Sequence, residues 1–342
     1  MTNYLNPLPD RYQDLLLSIV VPVFNESAML PVFFQQVLPI VKALPLRTEL
    51  IFIDDGSEDD SAEYLKRALH KHSEQKLIKL SRNFGKEAAV TAGLEHTRGD
   101  AVVIMDADLQ DPPEYIPVMV DTWLSGTDVV LMQRRSRVGE TLLKRLSAHL
   151  FYRLLNRTSR TEIPVDTGDF RLMSRRSVNA LLSLKERNRY MKGLFAWVGM
   201  PTKVIHYDRA SRAAGTTKWS FWGLLGLALE GLTSFSISPL RWAAGVGLLA
   251  SAAGALFGIW IVAKTLFIGD VAAGYPSLLA IVTFLGGVQL FSIGLVGEYV
   301  GKTYMETKQR PVYLAEEIIT SPPADKTAKV QHREPVQHVK VV

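Results

Sequence analysis

The chain has 342 residues, 47% of them hydrophobic, enough for one large domain and something besides. Its formal net charge of +5 suits anionic phosphates or an anionic lipid surface, while basic residues scattered rather than gathered in one stripe argue against nucleic acid. There is no cysteine, which excludes disulfides, thiolate nucleophiles and cysteine-ligated zinc.

Residues 1–14 read as an N-terminal extension. The apolar run 15–23 follows Asp10 and Asp14 rather than a basic segment and leads into Asn25 and Glu26, unlike a secretory signal. The N-terminal domain is therefore expected to be cytoplasmic. Over 15–215, short apolar runs at 16–23, 50–53, 77–80, 101–105 and 129–132 alternate with helical spacing at 27–43, 59–71, 85–97 and 113–124. That alternation predicts an α/β domain with a mostly parallel, Rossmann-like sheet covered by helices on both faces. Ligands of such sheets bind beyond the carboxyl ends of the strands, where Asn25-Glu26, Asp54-Asp55-Gly56-Ser57 and Asp106-Ala107-Asp108 all fall.

Asp106-Ala107-Asp108 ends a buried run. In extended backbone, residues two apart share a side, so both carboxylates face one space and Gln110 can join them. Such hard oxygens suit Mg2+ or Mn2+, which keep positions open for diphosphate oxygens. Asp55 lies in a turn-like sequence, and a carboxylate after a buried strand can also accept from the N3–H of a uracil ring. Basic residues follow at intervals: Arg82, Arg134, Arg135, Lys144, Arg145, Arg209, Arg212 and Lys218. Arginine forks hold phosphate oxygens in pairs. Asp166 and Asp169 flank Thr167-Gly168 and are candidates for a general base or an orienting group.

Residues 216–240 carry Trp219, Phe221, Trp222, Leu225 and Leu229 beside Lys218 and Arg241, a pattern expected of a helix in a membrane interface. The segment 241–304 follows as a hairpin of two uncharged spans, about 242–263 and 275–297. Twenty-two residues of helix are about 33 Å long, close to a hydrocarbon core of about 30 Å. Arg241, Lys302, Lys308 and Arg310 flank the hairpin and the short loop holds Asp270, so both ends are expected on the cytoplasmic side; Lys264, on the wrong side of a strict count, can snorkel. Glycine and alanine in the hairpin leave room for a homo-oligomer. The remainder, 305–342, reads as a cytoplasmic tail, disordered after about 320.

Ser-Ile-Val-Val-Pro-Val-Phe-Asn-Glu (18–26), Ile-Asp-Asp-Gly-Ser (53–57), Leu-Ser-Arg-Asn-Phe-Gly-Lys-Glu (80–87), Met-Asp-Ala-Asp-Leu-Gln-Asp-Pro-Pro-Glu (105–114) and Asp-Thr-Gly-Asp-Phe-Arg-Leu (166–172) resemble the family 2 glycosyltransferases. Within them the chain is most similar to the polyprenyl-phosphate group, the bactoprenol glucosyltransferases and dolichol-phosphate mannose synthases, and 292–313 resembles the bacterial branch with a C-terminal hairpin. The resemblance spans about 16–316. It implies a GT-A fold, a divalent metal (Mg2+ or Mn2+) and inversion at the anomeric carbon. By position, Pro22, Asn25, Glu26, Asp55 and Asp106 would line the nucleotide site; Asp106, Asp108 and Gln110 would hold the metal; and Arg134, Arg145, Arg209 and Lys218 would bind the acceptor phosphate. Gly168-Asp169-Phe170-Arg171 stands where the dolichol branch has Ser-Gly-Phe-Arg, so a role for Asp169 would not extend to relatives lacking it.

The expected reaction is transfer from a UDP-sugar, glucose first, to undecaprenyl phosphate at the cytoplasmic face of the inner membrane, with the lipid product flipped outward later for cell-surface glycans. Two rivals stand beside it. A processive polysaccharide synthase carries Gln-x-x-Arg-Trp before a membrane segment, but Ser238 occupies the glutamine position ahead of Arg241-Trp242 and one hairpin builds no polymer channel. A non-enzymatic sugar-nucleotide or lipid-binding scaffold has little use for the acidic triad.

Overall fold

The computed structural model describes residues 14–69, 74–135, 167–187, 189–207, 233, 237–268 and 275–321. These fall into two compact units, one comprising the residues up to 207 together with 311–321, the other 233–310.

The first unit is an eight-stranded sheet. In chain order it runs β1 (Leu16–Val23), α1 (Leu30–Ala43), β2 (Arg47–Asp54), α2 (Ser61–Leu69), β3 (Gln75–Leu80), α3 (Lys86–Glu95) and β4 (Ala101–Ile104). A 3-10 turn, Pro113–Tyr115, then leads into α4 (Ile116–Leu124), β5 (Val129–Arg134), β6 (Thr167–Ser174), α5 (Arg175–Ser183), α6 (Met191–Trp197) and β7 (Thr202–Tyr207); the last strand, β8 (Ala315–Thr320), comes from the C-terminal segment. The spatial order is β7-β5-β6-β4-β1-β2-β3-β8. Parallel pairing joins β4, β1, β2 and β3, and separately β5 and β7; β6 and β8 run against their neighbours. The expectation of a mostly parallel α/β sheet of GT-A type holds.

The β1 sequence explains its central place. Leu17, Ile19, Val21 and Val23 face one way and enter a core with Phe33, Phe34 and Val37 of α1, Phe52 of β2 and Leu65 of α2. Ser18 and Val20 face the other way and are also fully buried, as period-two alternation requires of a strand covered on both sides. Phe33 meets Phe52 edge-on with centroids 5.9 Å apart, a favoured aromatic geometry. At the amino ends of the strands, a buried polar cluster locks β1 to β2 and to the turn before β4. Ser18 donates to Glu49 at 2.6 Å, the Gly99 amide donates to Ser18 at 2.9 Å, and Arg98 reaches Glu49 through its amide and its guanidinium.

Two findings differ from the sequence expectation at the C-terminus. Residues 305–307 belong to the second long helix, and 315–320, read as tail, form β8 against β3. Lys66–Glu317 and Lys79–Glu316 ion pairs, both 2.9 Å, accompany that pairing. One apolar pair, Ile318-Ile319, among charged neighbours is too weak a pattern to announce an edge strand.

The second unit holds α7 (Ser238–Ile268) and α8 (Tyr275–Thr307). Ser238–Ile261 and Ile281–Thr307 are long and apolar enough to cross a membrane, with mean hydropathy 1.8 and 1.6. Their apolar side chains, among them Leu248, Leu256, Trp260, Leu290 and Phe291, are exposed. The interface helix expected over 216–240 lies outside the described residues, except for Thr233 and 237–240.

Candidate active site

The carboxyl ends of β1, β2 and β4 point the same way and carry the acidic clusters. After β1, Asn25 adopts a left-handed backbone with φ 55°. It ties its loop to the one after β2: its amide donates to Ser57 Oγ at 3.0 Å, and its Oδ1 accepts from the Glu58 amide at 2.8 Å. The Glu26 amide donates to Ser61 Oγ at 2.9 Å, and Ser27 donates to Asp59 at 3.0 Å. Pro22 sits within β1 in register with Ile53. These residues brace the mouth of the sheet.

Asp54 and Asp55 close β2, and both are buried. Asp55 accepts from the amides of Phe84 at 2.8 Å and Gly85 at 3.0 Å. Burial pushes the Asp55 carboxyl up, and those two amides pull it back toward the charged form. Its carboxylate thus grips the loop after β3. Gly56 lets that loop come near: with φ +68°, a Cβ there would lie 2.5 Å from the Arg82 carbonyl carbon and 2.6 Å from the Asn83 nitrogen. Arg82, a candidate phosphate ligand by sequence, has its guanidinium 4.0 Å above the Phe84 ring.

The gripped loop delivers Lys86, the first residue of α3, into the acidic pocket. Its Nζ lies 2.6 Å from Asp106 Oδ1 and 2.7 Å from Oδ2, and 2.6 Å from Asp169 Oδ2. The topology explains the meeting. β4 and β6 are antiparallel with Ile104 opposite Arg171, and continuing that register two residues sets Asp106 opposite Asp169. Sequence reasoning had proposed both aspartates, but not that one ammonium joins them. Partial desolvation of its head group opposes charge on Lys86, yet the two carboxylates raise its pKa well above the ordinary lysine value. Asp169, though partly desolvated, is held below the usual carboxylate range by Lys86 and Arg171, whereas desolvation and the neighbouring Asp169 and Asp108 push Asp106 up.

Around this triad lies a second layer that the sequence did not disclose. Arg171 is 3% exposed, stacks 3.6 Å over Phe195 and donates to the Gly168 carbonyl at 2.8 Å. Burial pushes it down to about 10. Glu87, beside Lys86, is pushed up to about 8 by burial and by Asp169, against the pull of Lys86 and Lys192. Arg134 donates to Tyr207 Oη at 3.4 Å, and its guanidinium lies beside Gly168 of β6, the residue before Asp169. Tyr207 in turn donates to Asp111 at 2.8 Å. Asp166, Arg145, Arg209 and Lys218 lie outside the described residues.

The residues fit a divalent cation in part. Asp106 and Asp169 already direct three oxygens at one cation, the Lys86 ammonium. Asp108 accepts from the Gln110 amide at 3.1 Å, and Gln110 is buried with its Oε1 lacking a hydrogen-bond partner. Among the described residues no three acidic or imidazole side chains form a complete cage. An ion that keeps positions for phosphate oxygens needs only one or two carboxylates from the protein.

Residues 18–182 match the glycosyl transferase family 2 model, and 238–303 match the GtrB C-terminal hairpin. The chain is 47% identical to the bactoprenol glucosyl transferase of Shigella phage SfX over 87% of this chain and 98% of that protein. It is 44% identical to the uncharacterized glycosyltransferase sll0501 of Synechocystis over 88% of this chain and 95% of that one. The structure of glucosyl-3-phosphoglycerate synthase from Mycobacterium tuberculosis is similar with a TM-score of 0.46 and 22% identity, covering 64% of this chain and 78% of that chain. The chain is a glycosyltransferase and belongs to family 2, in the polyprenyl-phosphate group that carries a C-terminal hairpin.

Proposed function

We propose that the protein moves one sugar, glucose first among donors, from a UDP-sugar to undecaprenyl phosphate, with inversion at the anomeric carbon, to supply a lipid-linked sugar for cell-surface glycans. The observation that carries this reading is the meeting of Asp106 and Asp169 on one cation at the carboxyl ends of the sheet, in a chain whose relatives are named bactoprenol glucosyl transferases. In the reaction, an acceptor phosphate oxygen attacks the anomeric carbon from behind, and the electron pair of the breaking carbon–oxygen bond leaves with UDP. A lipid phosphate is already anionic near neutral pH, so its oxygen needs no general base. Positioning and charge stabilisation should then outweigh base strength.

Asp106, Asp108 and Gln110 would hold Mg2+ or Mn2+, whose chemistry is to neutralise charge on the departing diphosphate. Asp169, kept ionised by Lys86 and Arg171, orients that cationic network and has no spare proton to give. Arg134, beside Gly168 of β6, suits an acceptor phosphate, as do Arg145, Arg209 and Lys218 by sequence. Pro22, Asn25, Glu26 and Asp55 would border the nucleotide, with Asp55 still able to accept from a uracil N3–H beyond the two amides it holds. Two apolar helices with Arg241 in the first turn of one, Lys302 in the last turns of the other and Lys308 and Arg310 just beyond support a membrane hairpin with both ends in the cytoplasm.

The test is mass spectrometry of glycolipid made by purified protein from undecaprenyl phosphate and a panel of UDP-sugars. UDP-glucose should yield a hexosyl-phosphoryl lipid, and both chelation of divalent ions and Asp108→Ala should abolish it. Full turnover in excess EDTA would remove the metal from the mechanism, and a long glycan product would favour a processive synthase.

A further inference from the structure

Lys86 is a residue to which the proposed chemistry assigns no step, yet it makes the tightest contacts in the site. Its ammonium takes both oxygens of Asp106 and one of Asp169, all within 2.7 Å. Asp106 is also a ligand of the proposed divalent ion, and an ammonium and a divalent ion set against the same two oxygens repel each other at close range. The lysine side chain is long and 43% exposed, so its head can move aside without breaking a packed core. Its backbone, by contrast, is pinned, because Asp55 holds the amides of Phe84 and Gly85 immediately before it.

We propose that Lys86 is a resident counter-cation that competes with the divalent ion for Asp106, so that the metal enters together with the nucleotide rather than ahead of it. Without nucleotide, the ammonium offsets the repulsion between Asp106 and Asp169, and a lone divalent ion must displace it. With a nucleoside diphosphate present, phosphate oxygens supply the metal with additional ligands, and displacement becomes favourable. The ammonium then stays with Asp169, whose contact does not depend on Asp106. This inference rests on the proposed metal role of Asp106.

The experiment is Mn2+ binding to the full-length protein in detergent, read by electron paramagnetic resonance of free Mn2+, with and without UDP. Wild-type protein should bind Mn2+ weakly alone and on the order of 10-fold more tightly with UDP, a typical coupling between groups sharing a site. Lys86→Met and Lys86→Gln should bind Mn2+ about 10-fold more tightly than wild type without UDP, and the UDP effect should shrink. Lys86→Arg, which keeps the charge, should behave like wild type. A merely structural lysine would not give tighter metal binding on removal. If wild type binds Mn2+ equally with and without UDP, the proposal fails whether or not the variants fold. If Asp106→Asn abolishes binding while Lys86→Met binds no more tightly than wild type, the competition is wrong and the metal site stands. Binding indifferent to Asp106→Asn would overturn both.

Discussion

Gly56→Ala tests how the loop that carries Lys86 is held. At φ +68°, an L-residue with a Cβ costs about 1–2 kcal/mol in backbone strain. The added carbon would also meet the Arg82 carbonyl carbon at 2.5 Å and the Asn83 nitrogen at 2.6 Å. Those are backbone atoms, which cannot swing away like the tip of a side chain, so overpacking adds roughly 1–3 kcal/mol. The sum, about 2–5 kcal/mol, corresponds to a melting temperature lower by roughly 5–15 °C for a domain of this size. Relief of the clash pushes 82–86 outward and takes Lys86 with it, and a displacement of about 1 Å in a catalytic site can cost about 100-fold in rate. Gly126→Ala is the control, since Gly126 also has a positive φ, +102°, but nothing within 4 Å of an added Cβ. Thermal melting and UDP release, measured on both variants in detergent, should show the larger loss in Gly56→Ala on both readouts. Equal behaviour of the two would refute the claim that the approach of the loop matters.

Glu87 provides a pH prediction. Its folded pKa, about 8, lies above the ordinary 4.5, so the folded state keeps a proton that the unfolded chain releases. The contribution of Glu87 to stability should therefore be full below about pH 4.5 and be lost as pH rises through about 8; Glu87→Gln should flatten that part of a melting-temperature profile, and an unchanged slope would count against it. Glu49→Ala removes the buried acceptor of Ser18 and Arg98 at the far end of the strands, and should cost about 2–4 kcal/mol in chemical denaturation while leaving the turnover of folded enzyme nearly unchanged. Tyr207 is raised to about 12 by burial and by Asp111, so it is a neutral donor at working pH. Tyr207→Phe strands Asp111 of one bond and should destabilise by about 1–2 kcal/mol, measured the same way.

The first five strands and the helices between them were legible because buried strands are unbroken apolar runs and their covering helices repeat at helical spacing. β6, β7 and β8 were not. Thr-Gly-Asp-Phe-Arg-Leu-Met-Ser alternates poorly, and buries an arginine that a composition rule would leave in water. β7 is an edge strand with Lys203, Val204 and His206 exposed, and so lacks a clean apolar face. In the site, Asp106 and Asp108 announced themselves through spacing. Lys86 stood inside a quoted motif, but its partners Asp106 and Asp169 are 20 and 83 residues away, and no local pattern encodes such a pairing. For Asn25 and Asp55, expected at the nucleotide, the structure shows what each holds within the protein, which no local pattern announces: the loop after β2 for Asn25, the loop after β3 for Asp55.

That last pair of contacts ties the two ends of the site together. A nucleotide base reaching Asp55 would meet a carboxylate already holding the Phe84 and Gly85 amides, two and one residues before Lys86. Phe84 and Gly85, both held by that carboxylate, immediately precede the residue whose ammonium lies between Asp106 and Asp169. Asp169 reaches that ammonium only because β6 runs against β4, so its position depends on strand register rather than on loop conformation. One partner of Lys86 is thus fixed by the sheet, while the backbone just before Lys86 is held by Asp55, the group proposed to face the base. The proposed exchange of Lys86 for a metal at Asp106 requires a mounting of this kind: one partner set by the sheet, and a backbone set by Asp55.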